Sequence, residues 1–205
     1  LSNLSSNLLQ TLASGERVLS LLAEEPELKD VESAVDLKEV SHIDVENVSF
    51  AYGEEQILSD VSLSVTKGEI LGIHGRSGSG KSTLLKLLMR FYDPKSGSIK
   101  INGETLPNIN TRSLRDNMAY ITQQTYIFNE TIEENIRLAR RDATLEEIME
   151  AAKKASIHDF ILSLPEGYQT KMTELGGNLS DGEKQRIGIA RAFLHNAPII
   201  LLDEP

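Results

Sequence analysis

One stretch of eight residues, Gly75-Arg76-Ser77-Gly78-Ser79-Gly80-Lys81-Ser82, constrains this chain more than any other. It has the pattern G-x-x-x-x-G-K-S, in which glycines let the backbone curl until its N–H groups face inward and cradle phosphate. Before it, Ile70-Leu71-Gly72-Ile73-His74 reads as a short, buried parallel strand. After it, the run from Thr83 to Arg90 reads as a helix, whose N-terminus adds its dipole to the nest. Strand, glycine loop and helix together turn the pattern into a site. There Lys81 is expected to reach the β- and γ-phosphates, and the Ser82 hydroxyl to ligate Mg²⁺. A glycine-rich turn without a ligand would leave the agreement of motif and context unexplained.

Composition narrows the partners. The 205 residues suffice for one sizeable core. With 31 acidic against 21 basic residues the net charge is -10, which argues against a nucleic-acid partner, since that would favour a basic face. There is no cysteine, hence no disulfide framework and no Cys-based metal site. No apolar run approaches the roughly 18 residues that span a bilayer, and no signal peptide is visible. Both ends, Leu1 and Pro205, look cut rather than natural.

Along the chain, Leu1, Leu4, Leu8, Leu12, Leu19 and Leu22 are spaced for an amphipathic helix over 1–23, with Gly15 inside it. Such a helix is either a core or oligomer helix or the cytoplasmic end of a helix from a preceding membrane domain. Residues 24–41 are acidic, contain Pro26 and read as a solvated linker, with a domain boundary near Ser41. Ile43–Tyr52 and Ile57–Val65 alternate in part around Gly53-Glu54-Glu55, which predicts a hairpin. Tyr52, the last aromatic before the turn, either packs on the hairpin or stacks on an adenine ring. Phe91-Tyr92-Asp93-Pro94 stops the helix after the glycine loop, and short strands are expected at 97–102 and 119–123.

Three capping boxes are expected, at Thr131 with Glu134, Thr144 with Glu147, and Ser180 with Glu183. They open helices near 131–139, 144–155 and 181–195, with a further one at 158–164. The apolar run Ile199-Ile200-Leu201-Leu202 reads as a buried strand ending in Asp203-Glu204. Ligands of open α/β sheets bind beyond the carboxyl ends of the strands. Asp203 is therefore expected beside the Mg²⁺ shell, and Glu204 where it can orient or deprotonate an attacking water. Standing alone, the two would read as exposed carboxylates at a strand end.

At this point the chain resembles the nucleotide-binding domain of ATP-binding cassette (ABC) transporters, over about 42–205. Phe50-Ala51-Tyr52 looks like the adenine-stacking loop, and Gly75 to Ser82, followed by Thr83, like a complete Walker A loop. Ile121-Thr122-Gln123 is similar to the Q-loop, whose glutamine touches Mg²⁺ and senses the γ-phosphate; Gln123 is preferred over Gln124 because Tyr126-Ile127-Phe128 then falls on the family's apolar segment. Leu179-Ser180-Asp181-Gly182-Glu183 stands at the signature, usually L-S-G-G-Q, and Ile199 to Asp203 at Walker B, with Glu204 at the catalytic glutamate. The resemblance implies an α/β P-loop NTPase fold with an antiparallel β subdomain and a helical insertion subdomain at about 125–178. It implies catalytic roles for Glu204, Gln123 and Lys81, metal contacts from Ser82, Gln123 and Asp203, and ATP and Mg²⁺ as cofactors. It further implies a second such domain, identical or not, packed head to tail so that each signature helix points its N-terminus at the phosphate held by the other.

The sequence departs from the family in three places. Asp181 and Glu183 replace a glycine and a glutamine and bring carboxylates near a triphosphate; Glu183 is expected to turn back onto the backbone and Asp181 to point to solvent. Thr173 to Asn178 resembles the exporters' coupling segment without its Glu-Arg pair, which weakens the case for contact with the partner's membrane loops. None of His42, His74, His158 or His195 falls where the family has its switch histidine. The fold is therefore expected to be incomplete at the C-terminus, with a gap in the central sheet, and the fragment alone to be inactive.

Residues 8–26 resemble the tail of the membrane domain in exporters that fuse permease and ATPase. This makes 1–24 the end of a transmembrane domain of the same chain, 25–41 a linker, and the cytoplasmic face of the cell membrane the expected location. The activity implied is ATP hydrolysis driving export. The alternatives are a cassette whose degenerate composite site binds ATP but hydrolyses little, and a soluble ABC ATPase outside transport.

Overall fold

In a computed structural model of the protein, which describes residues 2–25 and 28–203, the leucine-spaced N-terminal stretch forms one helix, α1 (Ser2–Leu22), continuous through Gly15. From Gln10 to Glu25 every residue is exposed. No described helix is long and apolar enough to cross a membrane.

The two alternating segments form the expected hairpin, β1 (His42–Tyr52) and β2 (Glu55–Thr66), turning at Gly53, whose φ of 59° suits glycine. With β3 (Ser96–Ile101) and β4 (Glu104–Thr105) they make an antiparallel sheet of order β2-β1-β3-β4. Its inward residues Val45, Val48, Phe50 and Ile99 bury against Leu84, Leu87 and Leu88 of α2 (Lys81–Leu88) and Leu114 of α3 (Thr111–Asp116). β5 (Met118–Ile121) pairs in parallel with β6 (Ile199–Leu202), Tyr120 opposite Leu201.

Two expectations about strands need correction. Ile70–His74 is not a strand; it belongs to neither sheet, and Ile70 is fully exposed. An apolar run marks what can be buried, but a strand exists only where a neighbour supplies hydrogen bonds, and no described segment pairs with this one. β6 in turn is buried on one face only: Ile199 and Leu201 are inside, Ile200 and Leu202 half exposed.

α4 (Ile132–Arg137), α5 (Leu145–Lys154) and α6 (His158–Ser163) enclose a second core of Ile127, Ile132, Ile136, Ile148, Ile161 and Met172. α7 (Asp181–His195) completes it with Ile187, Ala190 and Leu194, and turns Ala192 toward Ala119 and Ile121 of β5. It therefore joins the two cores. The boxes at Thr144 and Ser180 are complete. That at Thr131 is half made: Thr131 accepts from the Glu134 N–H at 3.1 Å, but the Glu134 carboxylate accepts from Arg137 instead.

The acidic linker is not simply solvated. Asp30 accepts from Arg90 Nη1 at 2.6 Å and from the Thr111 N–H at 3.0 Å, Val35 bridges to Ile109, and Val40 is buried. Arg90, just past the C-terminus of α2, is 1% exposed and also donates to the Lys29 and Ile109 carbonyls. A buried guanidinium requires a carboxylate and several acceptors; the linker brings Asp30 and the Lys29 carbonyl, and Asp93 lies 3.5 Å from Arg90 Nε. Thr111 first, and Arg90 after it, hold the Asp30 carboxyl below its ordinary value of 3.8.

Candidate functional site

The glycine loop is shaped by its backbone. Gly78 and Gly80 have φ of 79° and 90°, a region costly for other residues. A Cβ on Gly80 would lie 2.6 Å from Leu58 Cδ2, so the loop's end rests directly on β2. A Cβ on Gly75 would meet Ser79 Oγ at 2.6 Å, which closes the curl. Arg76, Ser77 and Ser79 line its exposed rim. Lys81 folds back over it, its Nζ donating to the Gly75 and Arg76 carbonyls at 3.1 Å each. Gly80 brings no side-chain acceptor to the first turn of α2, so the N–H groups there are not satisfied by a cap. Thr83, one residue past Ser82, is buried in that turn.

Across this loop Ser82 Oγ donates to Asp203 Oδ1 at 2.9 Å, joining residues 121 positions apart. The pairing of β6 with β5 sets Asp203 there, its N–H continuing the ladder to the Ile121 carbonyl at 3.0 Å. The other carboxylate oxygen accepts from Tyr120 OH at 3.2 Å. Burial first, and then the Asp203 charge, push the Tyr120 phenol up to about 12, so it stays a donor at neutral pH. Ser82 and Asp203 offer two hard oxygens at one point, the kind of set that Mg²⁺ takes while keeping waters and phosphate oxygens in its other positions. No cluster of three or more His, Cys, Asp or Glu that could hold a metal exists among the described residues, and Mg²⁺ needs none.

The other residues singled out sit on other elements. Tyr52 is 36% exposed and stands edge-on to Phe50 at 4.9 Å and to Tyr92 at 5.3 Å. It thus packs on the hairpin and still offers ring surface. Gln123 is exposed on the bend after β5. Leu179 is buried in the helical core, and at the head of α7 Ser180 and Glu183 cap one another: Ser180 N–H donates to the Glu183 carboxylate at 2.7 Å, and Glu183 N–H to Ser180 Oγ at 3.4 Å. Asp181 is fully exposed, and Gly182 is open. No hydrogen bond or ion pair among the described residues joins this group to the glycine loop. Glu204 lies outside the described residues.

Residue reading alone missed three features. Tyr120 sits in an expected strand that carries no motif. Tyr92 sits in a helix stop. Arg191 donates to the Tyr126 carbonyl and to both the carbonyl and side-chain oxygens of Asn135, and burial lowers its guanidinium to about 10. With Thr122, Thr125, Gly188 and His195 it lines a cleft of about 340 Å³ between β5 and α7, beside the Gln123 bend and separate from the glycine loop. A polar node made of three distant carbonyl groups leaves no motif.

Residues 58–205 match the family model described as ABC transporter. The chain is 97% identical over its whole length to a probable ABC transporter ATP-binding/permease protein of Haemophilus influenzae, covering 37% of that protein. It is 48% identical, again over its whole length, to a Bacillus subtilis protein named for multidrug export as an ATP-binding/permease protein, covering 36% of it. A solved bacterial Atm1-family ABC exporter with ATP bound superposes with a TM-score of 0.90 at 41% identity, over 95% of this chain and 34% of that one. The chain therefore spans about a third of the length of the relatives it matches.

Proposed function

Because the chain belongs to the ABC transporter family, we propose that it is the nucleotide-binding part of an exporter that hydrolyses ATP to move a substrate across a membrane. The observation that carries this is the contact of Ser82 with Asp203 at the mouth of the glycine loop. The amides of Gly75 to Thr83 and the N-terminus of α2 receive the triphosphate, and Lys81 balances its charge. Ser82, Gln123 and Asp203 are the residues that would hold Mg²⁺, which would supply positive charge against the charge that develops on the phosphates. Tyr52 takes the adenine. Glu204, next in sequence to Asp203, orients the attacking water as general base.

The site is half of a composite. The head of α7 serves the nucleotide held by a second cassette, identical or not, whose own signature helix closes over this loop. Helix α1 continues from a transmembrane domain of the same chain and sets this domain on the cytoplasmic face of the membrane. The names and lengths of the relatives support that arrangement, since each couples ATP-binding to permease in its name.

Phosphate release by the intact protein tests the reading. Asp203→Asn or Ser82→Ala is expected to lower turnover about 100-fold, the scale of losing one electrostatic group at a reacting centre. Unchanged turnover in both would overturn it. A second reading is favoured by the exposed Asp181 carboxylate, 3.5 Å from Lys184 Nζ, which would bring like charge toward a phosphate held by the partner: the composite site completed by this signature binds ATP but turns over little. Unchanged turnover in Glu204→Gln would mean that this chain's own site is not the hydrolytic one.

A further inference from the structure

Phe50, Tyr52 and Tyr92 form a closed triangle of rings. Their centroids lie 4.9 Å apart for Phe50 and Tyr52, 5.3 Å for Tyr52 and Tyr92, and 5.5 Å for Phe50 and Tyr92. The first two contacts are edge-to-face, at interplanar angles of 90° and 84°. Phe50 is buried at 4% and anchors the triangle to the core, whereas Tyr52 and Tyr92 keep 36% and 38% of their surface exposed. Edge-to-face contacts fix a ring's plane, because the positive edge of one seeks the negative face of the other. Tyr52 is thus held in one orientation from two sides.

The triangle is also tied to the glycine loop through two routes. Along β2, Leu58 pairs with Phe50 and is the residue that Gly80 rests on. Along α2, the loop leads into the helix at Lys81, and Tyr92 follows four residues after the helix ends at Leu88. Eight helical residues rise about 12 Å. The Phe91 N–H closes this end onto the Lys86 carbonyl at 2.9 Å, and the Phe91 ring lies under the Arg115 guanidinium at 5.1 Å. Tyr92 therefore leaves α2 from a fixed point.

We propose that Tyr92 is a positioning residue for the nucleotide base: its ring holds Tyr52 in the plane that stacks on the adenine, and so aligns the base with a triphosphate seated on the same helix's N-terminus. This rests on the reading of Tyr52 as the stacking residue. Tyr92 does not itself touch the base. Its contribution is the ordering of Tyr52 before the nucleotide arrives, which lowers the entropy lost on binding.

Equilibrium binding of ATP and of inorganic tripolyphosphate to the intact, detergent-solubilised protein separates the possibilities, because tripolyphosphate has the charge and no base. Tyr92→Leu keeps apolar bulk and removes the ring. It is expected to weaken ATP about two- to tenfold, the worth of an edge-to-face pair, with tripolyphosphate unchanged and Tyr92→Phe equal to wild type. Equal weakening of both ligands would mean a general effect on the fold and would overturn the proposal. ATP affinity unchanged in Tyr92→Leu, with Tyr52→Leu weakened for ATP alone, would overturn the role of Tyr92 and leave that of Tyr52 standing. If Tyr52→Leu also spares ATP, the stacking reading fails and takes the proposal with it.

Discussion

Helices α2 and α7 both point an N-terminus toward phosphate in the proposed assembly, but the two are prepared differently. α2 begins at a glycine with no side-chain cap, and is fixed instead at its far end, where buried Arg90 engages Asp30. α7 begins with a complete capping box, in which the Ser180 and Glu183 N–H groups are each served by the other residue's side chain. The difference teaches how one electrostatic device serves two ends. An uncapped terminus keeps its donors for the ligand and is stabilised from elsewhere. A capped one is stable by itself and exchanges a side chain for phosphate when a partner arrives.

Substitutions at four positions sharpen or break that contrast. The largest effect is expected from Asp30→Ala, which frees the anchored end of α2. Taking the nearer carboxylate from buried Arg90, which keeps Asp93 at 3.5 Å from its Nε, should cost about 2–3 kcal/mol of stability, below the usual cost of a broken buried pair because Asp30 is itself partly exposed. Thermal unfolding reads this. Because the folded Asp30 value is depressed, its contribution is complete above the unfolded value and is lost as pH falls through the folded one. Melting temperatures measured from about pH 5 downward should fall more steeply in wild type than in Asp30→Asn.

Next comes Lys81→Ala at the open end. ATP binding should weaken about 10- to 100-fold, the worth of charge-assisted hydrogen bonds, while the unfolding temperature stays close to that of wild type. A loss of stability instead would mean that the Lys81 contacts to Gly75 and Arg76 are structural. Ser180→Ala should do the reverse, lowering stability by about 1 kcal/mol, with ATP weakened only at the site that this signature completes. The smallest effect belongs to Asp181→Asn. Removing an exposed charge at a helix N-terminus should leave the unfolding temperature nearly unchanged and raise ATP affinity at the partner-completed site. Unchanged affinity there would show that Asp181 turns away from the phosphate.

Much of this was legible in the residues, for definite reasons. The hairpin and α7 have period, caps and a turn glycine that agree, so local and tertiary preferences point the same way. Ser82 and Asp203 were singled out from opposite ends of the chain by their types and settings, and the fold brings them to 2.9 Å. Ile70–His74 misled because strand formation is decided by a neighbour, and periodicity does not contain the neighbour. Thr131 misled because Glu134 had a competitor in Arg137, three residues on. The docking of Asp30 on Arg90 and the triangle around Tyr52 depend on residues 60 and 40 positions away, which no short pattern encodes.

The account turns on Ser82 and Asp203 sharing one metal with a triphosphate on this chain's loop. Mn²⁺ in place of Mg²⁺ makes that measurable: electron paramagnetic resonance of the intact protein with ATP reports both metal affinity and coupling to phosphorus. The expected result is a phosphorus coupling in wild type, with Mn²⁺ affinity in the ternary complex weakened about tenfold or more in Ser82→Ala and in Asp203→Asn. Mn²⁺ held as tightly in both variants as in wild type would contradict it.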